Sequence, residues 1–299
     1  MVDVVVVGTI GLDDIETPFG KVDSALGGSA SYAGFASSFF SKTGIVSIAG
    51  EDFPQNYKDI LAKKGMDLTG VTYAGKNFRW AGFYEFDMNE AKTRKTELNS
   101  LVQFDPQLPP EYRKAKYLFL GNIAPELQLK VLSQMESPAL TVMDTMNFWI
   151  ESQKEKLLEV ISKIDVLVFN DGEARQLFDT VNLMQAANKA LALGPRAVII
   201  KKGEHGALLF TKDSHFSAPG YPLEVIKDPT GCGDSFGGGF IGYLAQAGDL
   251  SDATMRKAII YGSVLASFNA EDFSLTQMQT ISNDDIDERF KAFRKMREF

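Results

Sequence analysis

The sequence predicts an α/β protein built on a mostly parallel sheet, and three features carry that reading. Val2 to Val7 is apolar but for Asp3, rich in β-branched residues and ends at Gly8, as a strand buried on both faces requires. Similar apolar runs then alternate with stretches of helical periodicity, the pattern of strand-helix-strand units. The longest motif, Asp228-Pro-Thr-Gly-Cys-Gly-Asp234-Ser-Phe-Gly-Gly-Gly239, sets glycines between a strand-like run (Leu223 to Ile226) and a helix marked by Phe236, Phe240, Ile241 and Leu244.

Each element has its own signal. Leu26-Gly-Gly-Ser-Ala-Ser-Tyr32 opens a helix carrying Tyr32, Phe35, Ala36 and Phe39 at helical intervals, with Ser29 as N-cap. Gly44 to Gly50 reads as a buried strand. Asp52 to Lys64 reads as a helix capped by Asp52, started by Pro54 and closed by Gly65. From Phe78 to Asp87 the period changes to two: Phe78, Trp80, Gly82, Tyr84 and Phe86 share one face of a half-buried strand. Tyr117 to Leu120 and Leu140 to Met143 are strands running out into Gly121-Asn122 and Asp144-Thr-Met-Asn147, places that border a substrate. Val166 to Phe169 is a further strand, and Asn170-Asp-Gly-Glu173 then enters a helix with the spacing of a capping box. Ala197 to Lys201 and Ala207 to Phe210 flank the turn Lys201-Lys-Gly203-Glu-His-Gly206, and Asp252 to Asn269 and Asp284 to Met296 are the last helices.

Composition narrows the function. The chain has 299 residues, 44% of them hydrophobic, enough for a substantial core. A formal net charge of -8 disfavours binding to nucleic acid or anionic membranes, so the expected partner is a small molecule. One cysteine allows no internal disulfide and suits a reducing cytoplasm, while two histidines leave no His-rich metal site. The apolar run Val4 to Val7 is too short for a signal or a membrane span. No linker, repeat or low-complexity block interrupts the pattern, which predicts one core domain over residues 1–299.

The central motif carries the chemistry. Helix-start amides have no intrahelical acceptor and sit at the positive end of the dipole, and Gly231 and Gly233 let an anion approach them closely. Asp234 stands in the first turn, within reach of an alcohol aimed at a phosphoryl group held there. An Asp at a helix start also has an ordinary electrostatic reason. Gly237, Gly238 and Gly239 cost about 1 kcal/mol each in a helix relative to Ala, which calls for close packing or the approach of a ligand.

This motif closely resembles the signature of the ribokinase family, the phosphofructokinase-B type of carbohydrate kinases. The resemblance implies a three-layer α/β/α fold with a small β lid, formed by roughly residues 11–26 and 71–104, through which homodimers pair in some relatives. It implies that Asp234 is the catalytic base and that the amides of Gly231, Cys232 and Gly233 form an anion hole, with Thr230 and Gly233 close to ATP. Cys232 stands where relatives usually have Ala. Asp13, Gly27, Gly28 and Ser31 match the family's substrate-binding positions, Ser31 in place of the usual Asn. Asn170 and Glu173 match its Asn-x-x-Glu, which orders Mg2+ and phosphates through water, although the same residues also satisfy a helix cap. Lys201, Gly203 and Gly206 match its Thr-x-Gly-x-x-Gly turn against ATP, with a lysine, long enough to reach phosphate, in the Thr position.

The implied activity is transfer of the ATP γ-phosphoryl group to a hydroxyl of a small sugar, with Mg2+ as cofactor and a monovalent cation as a further candidate. A nucleoside acceptor is the alternative, since Phe78, Trp80 and Tyr84 can stack on a base. A non-catalytic ligand-binding relative is disfavoured because Asp234, Asn170 and Glu173 occur together. An Asp234 of ordinary pKa suffices for this chemistry.

Overall fold

The computed structural model describes residues 2–298. Its strands are β1 (Val4–Val7), β2 (Gly11–Thr17), β3 (Gly20–Gly27), β4 (Thr43–Ala49), β5 (Asp67–Tyr73), β6 (Phe78–Phe83) and β7 (Lys92–Glu97). They continue as β8 (Tyr117–Leu120), β9 (Leu140–Met143), β10 (Val166–Asn170), β11 (Ala197–Lys201), β12 (Ala207–Thr211) and β13 (His215–Ala218). The helices are α1 (Ser29–Ser37), α2 (Gln55–Lys63), α3 (Pro125–Leu132), α4 (Asn147–Ser152) and α5 (Lys154–Ile161). After them come α6 (Asp171–Phe178), α7 (Leu183–Leu191), α8 (Cys232–Ala247), α9 (Asp252–Ala270) and α10 (Asn283–Lys295).

Nine strands form the main sheet in the order β13-β12-β11-β10-β9-β8-β1-β4-β5. All neighbours are parallel except β11 with β12 and β12 with β13. Alternation along β1 divides the core in two: Val4 and Val6 pack with α1, α8 and α9, while Val5 and Val7 pack with α3, α5, α6 and α7. The result is the three-layer α/β/α arrangement. The chain steps from β1 to β4 on one side and later to β8 on the other, so the strand order reverses between β1 and β8. Open parallel sheets gather ligands beyond the C-terminal strand ends at such a point.

The second sheet, in the order β3-β2-β6-β7, is formed by the segments expected to make a lid and is called the lid below. Its second segment begins at Phe78 rather than Val71, because Asp67–Tyr73 pair with β4 at the edge of the main sheet. Asp13 lies opposite Trp80 in the β2/β6 register and shares its face, which is turned inward. The outer face carries paired charges, Asp14 with Arg79 (3.2 Å) and Glu16 with Arg94 (2.6 Å). The edge strand β7, Lys-Thr-Arg-Lys-Thr-Glu, is almost wholly exposed, the composition that blocks edge-to-edge association.

The glycine triplet is explained by packing. A methyl on Gly237 would lie 2.5 Å from the Phe119 ring of β8, one on Gly238 would overlap the Ala33 carbonyl of α1, and one on Gly239 would crowd Gly262 and Leu265 of α9. Helix α8 is therefore wedged between a strand and two helices, and close packing accounts for all three glycines. Three local expectations also change. Leu223 to Ile226 is not a strand, and Val225 is exposed. Asp52 does not cap α2; its carboxylate accepts from the Asn77 amide (2.9 Å) and side chain (2.7 Å). Gly28, not Ser29, is the N-cap of α1, and Ser29 Oγ instead accepts the Thr9 amide at 3.0 Å.

Candidate active site

Helix α8 begins beside the C-terminal ends of β1 and β8. Gly231, at φ +76°, turns the chain into it, and a side chain there would collide with the buried Tyr32 ring of α1. Among the described residues no protein group accepts the amides of Gly231, Gly233 or Asp234, so these three are free to hold an anion. The Cys232 amide is not free: it donates to the Pro229 carbonyl at 3.1 Å. The Cys232 thiol also turns away, donating to Ala266 on α9 (3.4 Å), and burial pushes it up to about 12. Of the three amides expected to form an anion hole, that of Cys232 is engaged, while the Asp234 amide, which was not among them, has no protein acceptor among the described residues.

Asp234 itself is half-buried. Burial, with the nearby Asp144 carboxylate, raises it to about 7 against the opposing pull of the Lys201 ammonium. An ordinary carboxylate would suffice for the chemistry, and the raised value reflects acids that converge here from distant positions. Asp13, only 4% exposed, faces the same cleft from the lid. Burial first, and then Asp228, Asp234 and Asp14, push it up to about 8. Its carboxylate lies against Gly27, where any side chain would overlap it. Gly28, at φ +97°, lies so close to Thr9 and Ile10 that a Cβ would strike their backbone. Ser31 does not reach the cleft: it is fully buried, and its hydroxyl donates to the Gly27 carbonyl at 2.8 Å.

Thr230 is likewise committed. Its hydroxyl donates to Tyr84 Oη of the lid (3.1 Å), its amide to Asp228 Oδ1 (2.8 Å), and its carbonyl accepts from Asn269 (2.8 Å). Thr230 thus fastens the lid to the motif, and its hydroxyl proton is engaged by Tyr84, which leaves the oxygen as an acceptor. Asp228 is fully buried and also accepts the Ser274 amide at 3.2 Å, which explains why the motif opens with a carboxylate.

At the ends of β10 and β11, Asn170 and Glu173 form a complete capping box. The Glu173 amide donates to Asn170 Oδ1 (2.8 Å) and the Asn170 amide to Glu173 Oε2 (2.7 Å). Asn170 Oδ1 is thereby occupied, leaving its Nδ2 as a donor. Burial raises the Glu173 carboxyl to about 7, with Lys201 pulling it down and Asp144 and Asp234 pushing it up. Lys201 Nζ lies 2.6 Å from Asp144 Oδ2. Burial lowers its pKa, but Asp144 and Glu173 outweigh burial and raise it. Asp144, Glu173, Lys201 and Asp234 therefore form one electrostatic cluster. No three His, Cys, Asp or Glu side chains among the described residues converge with metal-ligand geometry.

The turn after β11 holds Gly203 at φ +54° and Gly206 at φ +85°, conformations that favour glycine. Asn89 from the lid loop reaches this turn: the Glu204 amide donates to its Oδ1 at 3.3 Å, and a Cβ on Gly203 would overlap it. The structure thus brings Asp13, Asp234, Glu173, Lys201 and the α8 amides to one cleft. Asp144, Tyr84 and Asn89 were legible as residues near strand ends or in the lid, but their partners lie 57, 146 and 115 positions away, and no local signal pairs them.

Comparison with known proteins agrees with this arrangement. Residues 17–281 match the family model described as pfkB family carbohydrate kinase, a stretch that begins just after Asp13. The cytidine kinase of Thermococcus kodakarensis is 31% identical over 261 residues, covering 84% of this chain and 92% of that protein. Among solved structures, the nucleoside kinase of Methanocaldococcus jannaschii superposes with a TM-score of 0.78 at 21% identity, covering 97% of this chain and 98% of its own. The nucleoside kinase of Burkholderia thailandensis, in complex with inosine, gives 0.78 at 20% identity, covering 97% of each chain. By its family match, its fold and its motifs, this chain belongs to the pfkB family of carbohydrate kinases, the ribokinase family, and is an ATP-dependent kinase of a sugar or a nucleoside.

Proposed function

We propose that the acceptor is a nucleoside and that Asp234 receives the proton of the ribose hydroxyl that is phosphorylated. One observation carries the choice of acceptor. Asp13, an unpaired carboxylate suited to sugar hydroxyls, lies directly opposite Trp80 on the inner face of the lid. The Trp80 indole lies over Gly82, its Nε1 donates to Thr93 Oγ1 (3.1 Å), and the ring stays half-exposed. A ribose held at Asp13 would place its base beside that ring, where stacking contributes about 1–3 kcal/mol. A free sugar leaves the aromatic surface unused. The likeness to the cytidine kinase over most of both chains supports the same reading.

The chemistry is in-line transfer. The acceptor oxygen bonds to the γ-phosphorus, the bond from that phosphorus to the β,γ-bridging oxygen breaks, and the acceptor proton passes to Asp234. The amides of Gly231, Gly233 and Asp234 point at the oxygens on which charge develops, backed by the α8 dipole. Because the transition state is loose, Asp234 need only be ionised and in place. The lid excludes water, which would otherwise take the phosphoryl group. Glu173 fits a role in holding Mg2+ through water, since one of its oxygens is outside the capping box. When bound, Mg2+ supplies positive charge to the phosphate oxygens. A single free thiol suits a reducing compartment, which makes the cytoplasm the location this reading implies.

Turnover of ATP measured with cytidine, adenosine, inosine, ribose and deoxyribose tests the proposal. At least one nucleoside is expected to exceed ribose in kcat/KM by tenfold or more, and Trp80→Ala is expected to erase most of that margin. Ribose preferred over every nucleoside refutes the acceptor. Asp234→Asn is expected to abolish turnover while leaving ATP binding intact; near-normal turnover refutes the base.

A further inference from the structure

The ion pair across the end of β10 is built in an unusual way. Lys201 closes β11 and Asp144 follows β9, with β10 between them in the sheet. Two strand spacings amount to about 9.5 Å, too far for a threonine and within the combined reach of a lysine and an aspartate. The lysine chain crosses that gap to put Nζ 2.6 Å from Asp144 Oδ2, with the two side chains only 17% and 6% exposed. A methyl on Gly233 would stand 2.9 Å from the same Nζ, so the ammonium lies against the turn whose amides are free. Asp144 is fixed in turn. Its Oδ1 accepts the Thr145 amide (2.9 Å), its own amide donates to Leu120 (2.9 Å), and its carbonyl accepts from the buried Gln128 side chain (3.4 Å).

Desolvating such a pair gives little net stability, and an apolar pair of similar volume would serve a core as well. Its value lies in what the ammonium faces. We propose that Asp144 is a positioning residue for phosphoryl transfer: it fixes the Lys201 ammonium beside the Gly231–Gly233 turn, where Lys201 is a resident cation for the migrating phosphoryl group. This rests on the kinase reading above, and Asp144 acts through Lys201. Asp144 is also an anion beside the place of the phosphates, so removing its charge does not weaken ATP binding in the ground state. What is lost is a cation already in place when charge develops in the transition state.

A double-mutant cycle with a KM-against-kcat split tests this. Asp144→Asn is expected to lower kcat by about tenfold or more, with the KM for ATP unchanged or lower. Lys201→Met is expected to lower kcat and raise that KM. The double variant is expected to keep the kcat of Lys201→Met, since the two residues act as one unit. An unchanged kcat in Asp144→Asn, a raised KM for ATP in that variant, or losses that multiply in the double variant would overturn the proposal. Thermal unfolding controls for folding, and Asp144→Ser and Lys201→Gln replace any variant that does not fold. Calorimetry with Mg·ATP and with AMP, without acceptor, separates this proposal from the functional one. A wild type that phosphorylates no sugar or nucleoside sinks the functional reading. Lys201→Met binding Mg·ATP as the wild type does, or losing AMP equally, sinks the resident cation, and weaker Mg·ATP binding by Asp144→Asn sinks the positioning role.

Discussion

The raised Asp234 carboxyl makes a quantitative prediction about pH. The active form is ionised, so kcat/KM for the acceptor, which reports the free enzyme, rises with pH. With the inflection at about 7, roughly a tenth of the enzyme is active at pH 6 and roughly nine tenths at pH 8. The expected fall between those values is about tenfold. If the Glu173 carboxyl, also at about 7, must be ionised as well, the slope steepens toward two below pH 6. A carboxylate near 3.8 would leave the profile flat over the same interval. Initial rates with ATP saturating and acceptor limiting, from pH 5.5 to 8.5, decide between the two. Lys201 supplies the internal control: its ammonium draws the Asp234 carboxyl downward, so Lys201→Met is expected to move the inflection to higher pH. A profile flat to pH 5.5, or an inflection that moves downward in Lys201→Met, refutes the electrostatic picture of the cluster.

Gly238→Ala is expected to destabilise the protein by about 2–3 kcal/mol, because its methyl would overlap the backbone carbonyl of Ala33 rather than a yielding side chain; an unchanged thermal midpoint refutes the wedge. The ligand-free protein is expected to be more stable at pH 6 than at 8.5. Asp13, Glu173 and Asp234 are raised to about 8, 7 and 7 in the fold. Their contribution is therefore full below the unfolded values and is lost as pH rises through 7 to 8, at up to about 1.4 kcal/mol per unit for one group. A midpoint that rises between pH 6 and 8.5 contradicts this. Iodoacetamide at pH 7.5 is expected to leave the folded enzyme active, since the Cys232 thiol is pushed up to about 12 and turned toward α9; rapid inactivation prevented by ATP would return Cys232 to the anion hole.

Local pattern explains what the sequence revealed. β8 and β9 are short, apolar and bounded by turn residues, so their limits were readable to the residue; β1 was read two residues too long at its start, and the Asn170–Glu173 cap is complete within four positions. Within the contiguous motif, Gly231, Gly233 and Asp234 were legible from the residues themselves, whereas Asp13, Glu173 and Lys201 were named only through the family resemblance. Ser31 and Thr230 stood at matching positions, yet their hydroxyls are taken by Gly27 and Tyr84, a matter of side-chain direction that spacing does not encode. Asp52 has the chemistry of a cap and was drawn instead to Asn77 at the root of the lid. The pairing of Lys201 with Asp144 depends on sheet order, which is set by the whole chain.

The wedge of α8 against α1 has a consequence for how this enzyme can change its diet. The two helices meet with no room for a methyl, and they carry, respectively, the free amides proposed to hold phosphate and the Gly27–Gly28 turn proposed to border the acceptor. Neither can retreat to admit a bulkier acceptor without dragging the other out of line. Remodelling for new acceptors is left to the lid, whose outer strands lie in solvent and whose sequence can vary at little cost to the scaffold beneath.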